Sequence, residues 1–302
     1  MKLLVINNLA SGLGDGSIYD FVRAFTRDGE EVCLRSTDGT TDIAELVHDA
    51  ENFDAVVASG GDGTVTAVNF LLANSGIPVL PFPAGTANLL TLNLKSPSEP
   101  HALADMVREG RILDFDLGQI EVAGRSIGFE MMAGAGYDAA IMRDAMATKK
   151  KMGEAAYFSA VFNNIKPPVS HFKVTLDGQT VESDGIGVLL VNFAELQYEI
   201  SVTHENEPRD GKFDVVILKA QTAYDLIPAL FAALRDRTRD YPDRTDALAL
   251  YQASEVKVEA DPPLEVQYDG EPTGLSTPFE AHVLPHAARM YVSDRGFEAF
   301  KD

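Results

Sequence analysis

The chain has 302 residues, 45% of them hydrophobic, with 25 Lys and Arg against 46 Asp and Glu, for a formal charge of −21. That length suits two domains with separate cores, and the acidic excess works against nonspecific attraction to nucleic acid or to an anionic membrane surface. A single cysteine, Cys33, excludes an internal disulfide, and with no Cys/His cluster near it a structural zinc site is excluded too; a reducing compartment, the cytoplasm, is expected.

Residues 2–7 (KLLVIN) read as a buried first strand, too short an apolar run for a signal peptide. A Gly/Ser/Asp-rich turn follows, and 18–25 (IYDFVRAF) has helical spacing through Ile18, Phe21, Val22 and Phe25. Next come a strand EVCLRS, a turn over 37–41, and a helix DIAELVHDA capped by Asp42. DAVVAS is a strand, TVTAVNFLLA a helix and IPVLPFP a further strand. This βαβαβαβ order predicts an α/β domain with a parallel sheet, whose ligands bind at the carboxyl ends of the strands.

From about Asp116 the segments become short, β-rich and often alternating, among them GQIEVAGRSIGFEMMAG, FKVTLDGQTVES, GIGVLLVNF, FDVVILKA, EVKVEA, LEVQYDGE and FEAHVLP. They predict an antiparallel β-domain, with helical interruptions around 138–165 and 222–236. The tail, with its strand-like RMYVS, has two placements open to it: closing the β-domain or returning to the first. No charge-free stretch of ~18 residues is continuously apolar enough to span a bilayer, so membrane contact is expected to be peripheral.

The motif that carries chemistry is Gly60-Gly61-Asp62-Gly63-Thr64, after a strand and before a helix. Glycines there let backbone N–H groups close on phosphate oxygens at a helix N-terminus. A carboxylate beside phosphates repels them unless it holds a magnesium ion, so Asp62 points to a metal–nucleotide site. The plainer reading is a tight βα turn with a helix cap. A second turn, Pro83-Ala84-Gly85-Thr86-Ala87-Asn88, follows the next parallel strand, and adjacent strand ends face one crevice. No Walker sequence exists, and no GxGxxG follows the first strand.

The two turns together resemble the diacylglycerol kinase catalytic domain superfamily of lipid kinases, in particular its soluble bacterial diacylglycerol kinase and YegS-like branch. The resemblance runs through nearly the whole chain: Asn8-x-x-Ser11-Gly12, Asp116-Leu117-Gly118, Gly134-x-Gly136-x-Asp138-Ala139, Gly153-x-x-x-Tyr157, Asp210-Gly211-Lys212-Phe213-Asp214, Asp269-Gly270-Glu271 and Leu284-Pro285 come in the family's order. It implies an α/β nucleotide-binding domain over 1–115, similar to NAD kinases and diacylglycerol kinases, and a C-terminal antiparallel β-sandwich domain over 116–285 that receives the lipid. The tail 286–302 joins one or the other.

What the resemblance implies for chemistry is transfer of the ATP γ-phosphoryl to a lipid hydroxyl, with Mg2+. Thr37, Gly60, Gly61, Asp62, Gly63, Thr64, Val65, Thr66, Ala67, Gly85, Thr86 and Asn88 would line the nucleotide, Thr37 aligning only after a one-residue shift. Glu271 matches the general base, and Asp116 an aspartate that supports the catalytic metal beside Asp62. Asp210, with the carbonyls of Glu207 and Lys212, matches a structural magnesium site. The six histidines, His48, His101, His171, His204, His282 and His286, show no ligand spacing.

The chain departs from the family pattern at Leu9, where proline is usual, at Thr66 and Ala67, where Asn and Glu are usual, and at Leu89, where aspartate is common. An interfacial face could be carried by Leu226, Ile227, Leu230, Phe231 and Leu234 beside Arg235, Arg237 and Arg239, and headgroup contacts by Lys149, Lys150 and Lys151; the commoner role of such stripes is packing or solvation. Expected partners are ATP and a lipid at a membrane surface, not nucleic acid, and the assembly is left open between a single chain and a homodimer. Competing readings are an NAD kinase-like phosphotransferase and a catalytically silent nucleotide or lipid binder.

Overall fold

The computed structural model describes residues 1–12, 16–26, 29–136, 169–196, 200–201, 206–220 and 247–301. The chain divides into two compact units, one formed by Met1–Leu117 with Pro285–Asp302 and the other by Gly118–Leu284.

The first unit starts with β1 (Lys2–Asn8), α1 (Ser17–Phe25), β2 (Glu31–Thr37), α2 (Ile43–Val47), β3 (Ala55–Gly60), α3 (Asp62–Leu71) and β4 (Val79–Pro83). α4 (Leu89–Asn93) and α5 (Pro100–Glu109) follow, then the first part of β5 (Ile112–Val122). The strands run parallel in the order β2-β1-β3-β4, with Lys2 opposite Glu31, Leu3 opposite Ala55 and Val57 opposite Leu80. Their alternate residues Leu3, Val5, Val57 and Leu80 pack with Ile18, Phe21 and Phe25 of α1 and Leu103, Met106 and Val107 of α5. These helical residues recur at three- and four-residue intervals, so each helix turns one apolar stripe to the sheet. The predicted helix at DIAELVHDA is shorter than expected: the Asp42 carboxylate caps it at the Ala44 amide, and a 3-10 turn over Ala50–Asn52 replaces its end.

The second unit takes the rest of β5, then β6 (Arg125–Phe129), β7 (Met132–Gly136), β8 (Ser170–Leu176), β9 (Gln179–Gly185) and β10 (Gly187–Val191). A small pair, β11 (Glu195–Leu196) and β12 (Ile200–Ser201), precedes β13 (Phe213–Leu218), β14 (Leu248–Ala253), β15 (Glu255–Asp261), β16 (Glu265–Tyr268), β17 (Glu271–Ser276) and β18 (Phe279–Tyr291). Two antiparallel sheets make a β-sandwich. One carries β14-β13-β10-β7-β16-β17, and the other includes β18-β15-β8-β9. Period-two positions Phe172 and Val174 of β8 and Val256 and Val258 of β15 meet Val188, Leu190, Phe213 and Val215 in one core. In the Gly134-x-Gly136 motif, a Cβ on Gly134 would run into the Val188 carbonyl, so that landmark serves close strand approach.

β18 ends in the first unit, where Met290 sits opposite Val79 of β4 in parallel, and α6 (Asp294–Phe300) completes that unit. The tail therefore takes the second of its two open placements. Among the described residues, no helix is long and apolar enough to cross a membrane. The expected helical segments at 138–165 and 222–236, with Asp138, Gly153, Tyr157, the lysine run and the arginine run, lie outside the described residues.

Candidate functional site

In the first unit the loops at the carboxyl ends of the four parallel strands are tied to one another. After β1, Asn8 accepts the Ala10 amide at 3.0 Å and donates from Nδ2 to Thr64 Oγ1 at 3.0 Å, while the Leu9 amide donates to the Thr37 carbonyl at 2.8 Å. The Ser11 hydroxyl accepts the Gly61 amide at 3.1 Å. Gly12 has φ +63°, and a Cβ there would strike the Ala84 carbonyl. A Cβ on Gly85 would overlap the Gly61 Cα, so the two glycine turns pack backbone against backbone. Only glycine permits that approach at position 85, whereas a Cβ on Gly61 would make an ordinary contact.

α3 begins inside the first of those turns, with Gly61 as its N-cap and the Thr64 and Val65 amides donating to the Gly61 carbonyl at 2.9 and 3.2 Å. The N-terminus of this ten-residue helix carries the partial positive charge that attracts phosphate. Asp62 sits in its first turn and accepts the Leu90 amide at 3.1 Å, joining the starts of α3 and α4. Gly63 and Thr86 are exposed, whereas Thr64, Val65 and Thr66 are buried beneath the turn and Ala67 is half-buried. Asn88, with φ 51°, exchanges two bonds with Gly85: its Oδ1 accepts the amide at 2.8 Å, and its Nδ2 donates to the carbonyl at 3.0 Å. Its side chain thus shapes the second turn. Thr37 is buried and its Oγ1 accepts the Gly39 amide at 3.0 Å.

Asp116 is fully buried on β5 and accepts the His286 amide at 2.7 Å, with the His286 ring Nδ1 at 3.9 Å. It fastens the returning tail to β5. Asp114 lies 3.7 Å from Arg289 on the same two strands.

In the second unit, Glu271 opens β17 and is exposed, directly after a two-residue turn made by Asp269 (φ 43°) and Gly270 (φ 80°). The turn at 207–212 is held by the Asp210 amide donating to the Glu207 carbonyl at 3.3 Å and by the Lys212 amide donating to Asp210 Oδ1 at 2.9 Å. Both acceptors are hard oxygens, the ligand type that magnesium takes. Among the described residues, no three Asp, Glu, His or Cys side chains converge as a metal cluster. A cation at Asp62 or Asp210 would therefore draw its other ligands from backbone carbonyls, phosphates or water, as magnesium commonly does.

Residues 2–120 match the sequence model of the diacylglycerol kinase catalytic domain, and residues 131–292 that of the YegS C-terminal domain, described as NAD kinase beta sandwich-like. The chain belongs to the diacylglycerol kinase/YegS-like lipid kinase family. It is 28% identical to a "probable lipid kinase YegS-like" of Alcanivorax borkumensis over 92% of each chain, and 27% identical to a diacylglycerol kinase of Bacillus subtilis over 80% of each. It spans 56% of the length of an uncharacterized Synechocystis protein to which it is 27% identical over 80% of its own residues. A crystal structure of a diacylglycerol kinase from Bacillus anthracis superposes with a TM-score of 0.73 over 97% of each chain, at 19% identity, a likeness of fold.

Against the family pattern, the departures have distinct surroundings. Leu89 is buried at the start of α4, so an apolar side chain fills a place where aspartate is common. Leu9 is 56% exposed, yet its amide still holds the turn to Thr37, so the missing proline is replaced by a backbone bond. Two residues that the sequence reading left out of the site, Asn8 and Ser11, are the ones that clamp the glycine turn. The signal was available in their spacing just after the first strand.

Proposed function

We propose that the protein is an ATP- and magnesium-dependent kinase that phosphorylates the hydroxyl of diacylglycerol or a related long-chain lipid alcohol. The observation that carries this reading is the backbone contact between the Gly61 and Gly85 turns at the N-terminus of α3, a cradle in which a side chain at Gly85 is excluded and a helix dipole favours phosphate. The first unit is assigned the nucleotide, and the second the lipid and the proton acceptor.

In this mechanism the lipid hydroxyl oxygen forms a bond to the γ-phosphorus, the bond from that phosphorus to the β,γ-bridging oxygen breaks, and ADP leaves. The hydroxyl proton passes to the Glu271 carboxylate. Asp62 keeps its carboxylate beside the phosphates, where a bound magnesium ion would neutralise developing charge on the phosphoryl oxygens. Asn88 and Ser11 hold the two turns in shape while the nucleotide is seated. Asp210, with the Glu207 and Lys212 carbonyls, would hold a second magnesium ion whose role is structural. The reaction is set at the cytoplasmic face of a membrane, reached peripherally.

The test is transfer of the γ-phosphate from labelled ATP, with magnesium, into mixed micelles of diacylglycerol, monoacylglycerol, ceramide or sphingosine, with NAD as a soluble control. Labelled lipid is expected, and Glu271→Gln should lower kcat by about 10²–10⁴-fold, the usual worth of a general base. Label in NAD alone would replace this reading with an NAD kinase. No labelled acceptor although ATP binds would make the protein a silent binder.

A further inference from the structure

The Asp-Gly-Glu turn contains a second carboxylate with a more constrained setting than Glu271 itself. Asp269 Oδ1 accepts the Met131 amide at 2.8 Å and the Met132 amide at 3.0 Å, and its Oδ2 accepts the Glu130 amide at 2.9 Å. Its own amide donates to the Met132 carbonyl at 2.8 Å. Four bonds thus join one residue of the turn to the link between β6 and β7.

That link is itself immobilised. Asn192, fully buried, donates from Nδ2 to the Glu130 carbonyl at 2.8 Å, and the Asn192 and Phe193 amides donate to the Met131 carbonyl at 2.9 and 3.1 Å. Glu130, Met131 and Met132 are all buried. Glu271, by contrast, is exposed at the first position of a strand, directly opposite Tyr268. Its backbone position is fixed two residues earlier, through the Asp269 carboxylate.

We infer that Asp269 is the positioning residue for Glu271: its carboxylate, by gathering three convergent backbone N–H groups, sets where the proton-accepting side chain stands. The inference rests on the reading of Glu271 as general base. It requires a carboxylate in particular. An asparagine has one carbonyl oxygen and an NH2 group, so at least one of the three amides would face a donor in place of an acceptor. The turn alone makes the opposite demand. With positive φ at both central residues, as in a type I′ hairpin turn, Asn-Gly is among the most favoured pairs, and Asp269→Asn should keep or improve the hairpin.

The experiment compares native protein, Asp269→Asn, Asp269→Gly and Glu271→Gln in the labelled-ATP assay, with amide hydrogen exchange at 130–132 and thermal melting measured on each. Both Asp269 variants suit positive φ, so either can report if the other folds poorly. The expected result for Asp269→Asn is a fall in kcat of about 10- to 100-fold, the scale of a slightly misplaced catalytic group, with KM for ATP unchanged, melting lowered by no more than a few degrees because the favoured Asn-Gly turn offsets part of the lost amide bond, and faster exchange at 130–132. Native kcat in both variants, or unaltered protection at 130–132, would overturn the inference. Native activity in Glu271→Gln would overturn it by removing the group to be positioned. If the native protein labels no acceptor, the kinase reading fails by itself, and the exchange data decide the anchor: protected amides in the variants sink it, and exposed amides sustain it.

Discussion

Gly85 and Gly63 occupy similar places in the sequence, each in a glycine-containing turn after a parallel strand, but their surroundings differ. A Cβ at Gly85 overlaps the Gly61 backbone, which cannot give way as a flexible side chain can, whereas a Cβ at Gly63 meets nothing within 4 Å and lies inside α3. Gly85→Ala should destabilise the protein by roughly 1–3 kcal/mol, the cost of overpacking a tight contact. Gly63→Ala should leave stability unchanged or raise it by up to about 1 kcal/mol, because alanine is the better helix former. Urea unfolding measures both. ATP titration of the stable Gly63→Ala variant then isolates the ligand: weakened binding without lost stability means phosphate approaches that backbone, and native affinity removes Gly63 from the nucleotide site. The roles of glycine and of Asn88 are hard to separate from spacing alone, since a side-chain bond to the backbone three residues away selects the same residue types as a ligand contact does. Asp269 is hard to single out for the same reason. The Asp-Gly pair reads as a hairpin turn, and only the three amides reaching it from a distant part of the chain show another demand.

At the scale of elements, β1 to β4 and most sandwich strands were legible because apolar runs and alternation are local properties. α4 and α5 were not. The stretch from Asn88 to Glu109 contains SPSEP, which reads as loop, and Pro100 is in fact the first residue of α5, where its missing N–H costs nothing. The continuation of β18 beside β4 was likewise undecided, since nothing local to RMYVS names its neighbour. Charge pairing between elements is equally invisible to local pattern. Arg35 on β2 donates to both Asp49 oxygens, at 2.6 and 2.8 Å, and to the Leu46 carbonyl at 2.7 Å, tying the edge strand to the end of α2. The hydrogen bonds from Arg35 pull the Asp49 carboxyl down to about 2. Because the folded value lies below that of an unfolded aspartate, about 3.9, the bridge stabilises the fold above that pH and loses its contribution as pH falls through about 2. Denaturant midpoints of the native protein and Asp49→Asn should therefore differ at pH 6 and converge near pH 2. A gap that persists at pH 2 would mean the variant acts through packing and not through the charge.

For the whole molecule, the formal charge of −21 sets a condition that a lipid kinase has to meet. The lipid substrate proposed above would lie in a membrane, and an anionic membrane repels an acidic protein over about one Debye length, ~10 Å at 0.1 M salt and ~30 Å at 0.01 M. If the mean charge governs approach, phosphorylation of diacylglycerol in anionic vesicles should be slow at 0.01 M salt and rise toward 0.15 M, while rates on zwitterionic vesicles stay nearly flat. A local basic surface would reverse that slope, because attraction between such a patch and anionic headgroups is itself weakened by salt. The lysines at 149–151 and the arginines at 235, 237 and 239 are the sequence's candidates for that patch. Initial rates on vesicles of phosphatidylcholine and of phosphatidylglycerol, each carrying the same diacylglycerol fraction, distinguish the two. A rate that climbs with salt only on the anionic vesicles assigns control to the overall charge; a rate that falls with salt there assigns it to the basic segments, and charge reversal at Lys149–Lys151 should then flatten the dependence.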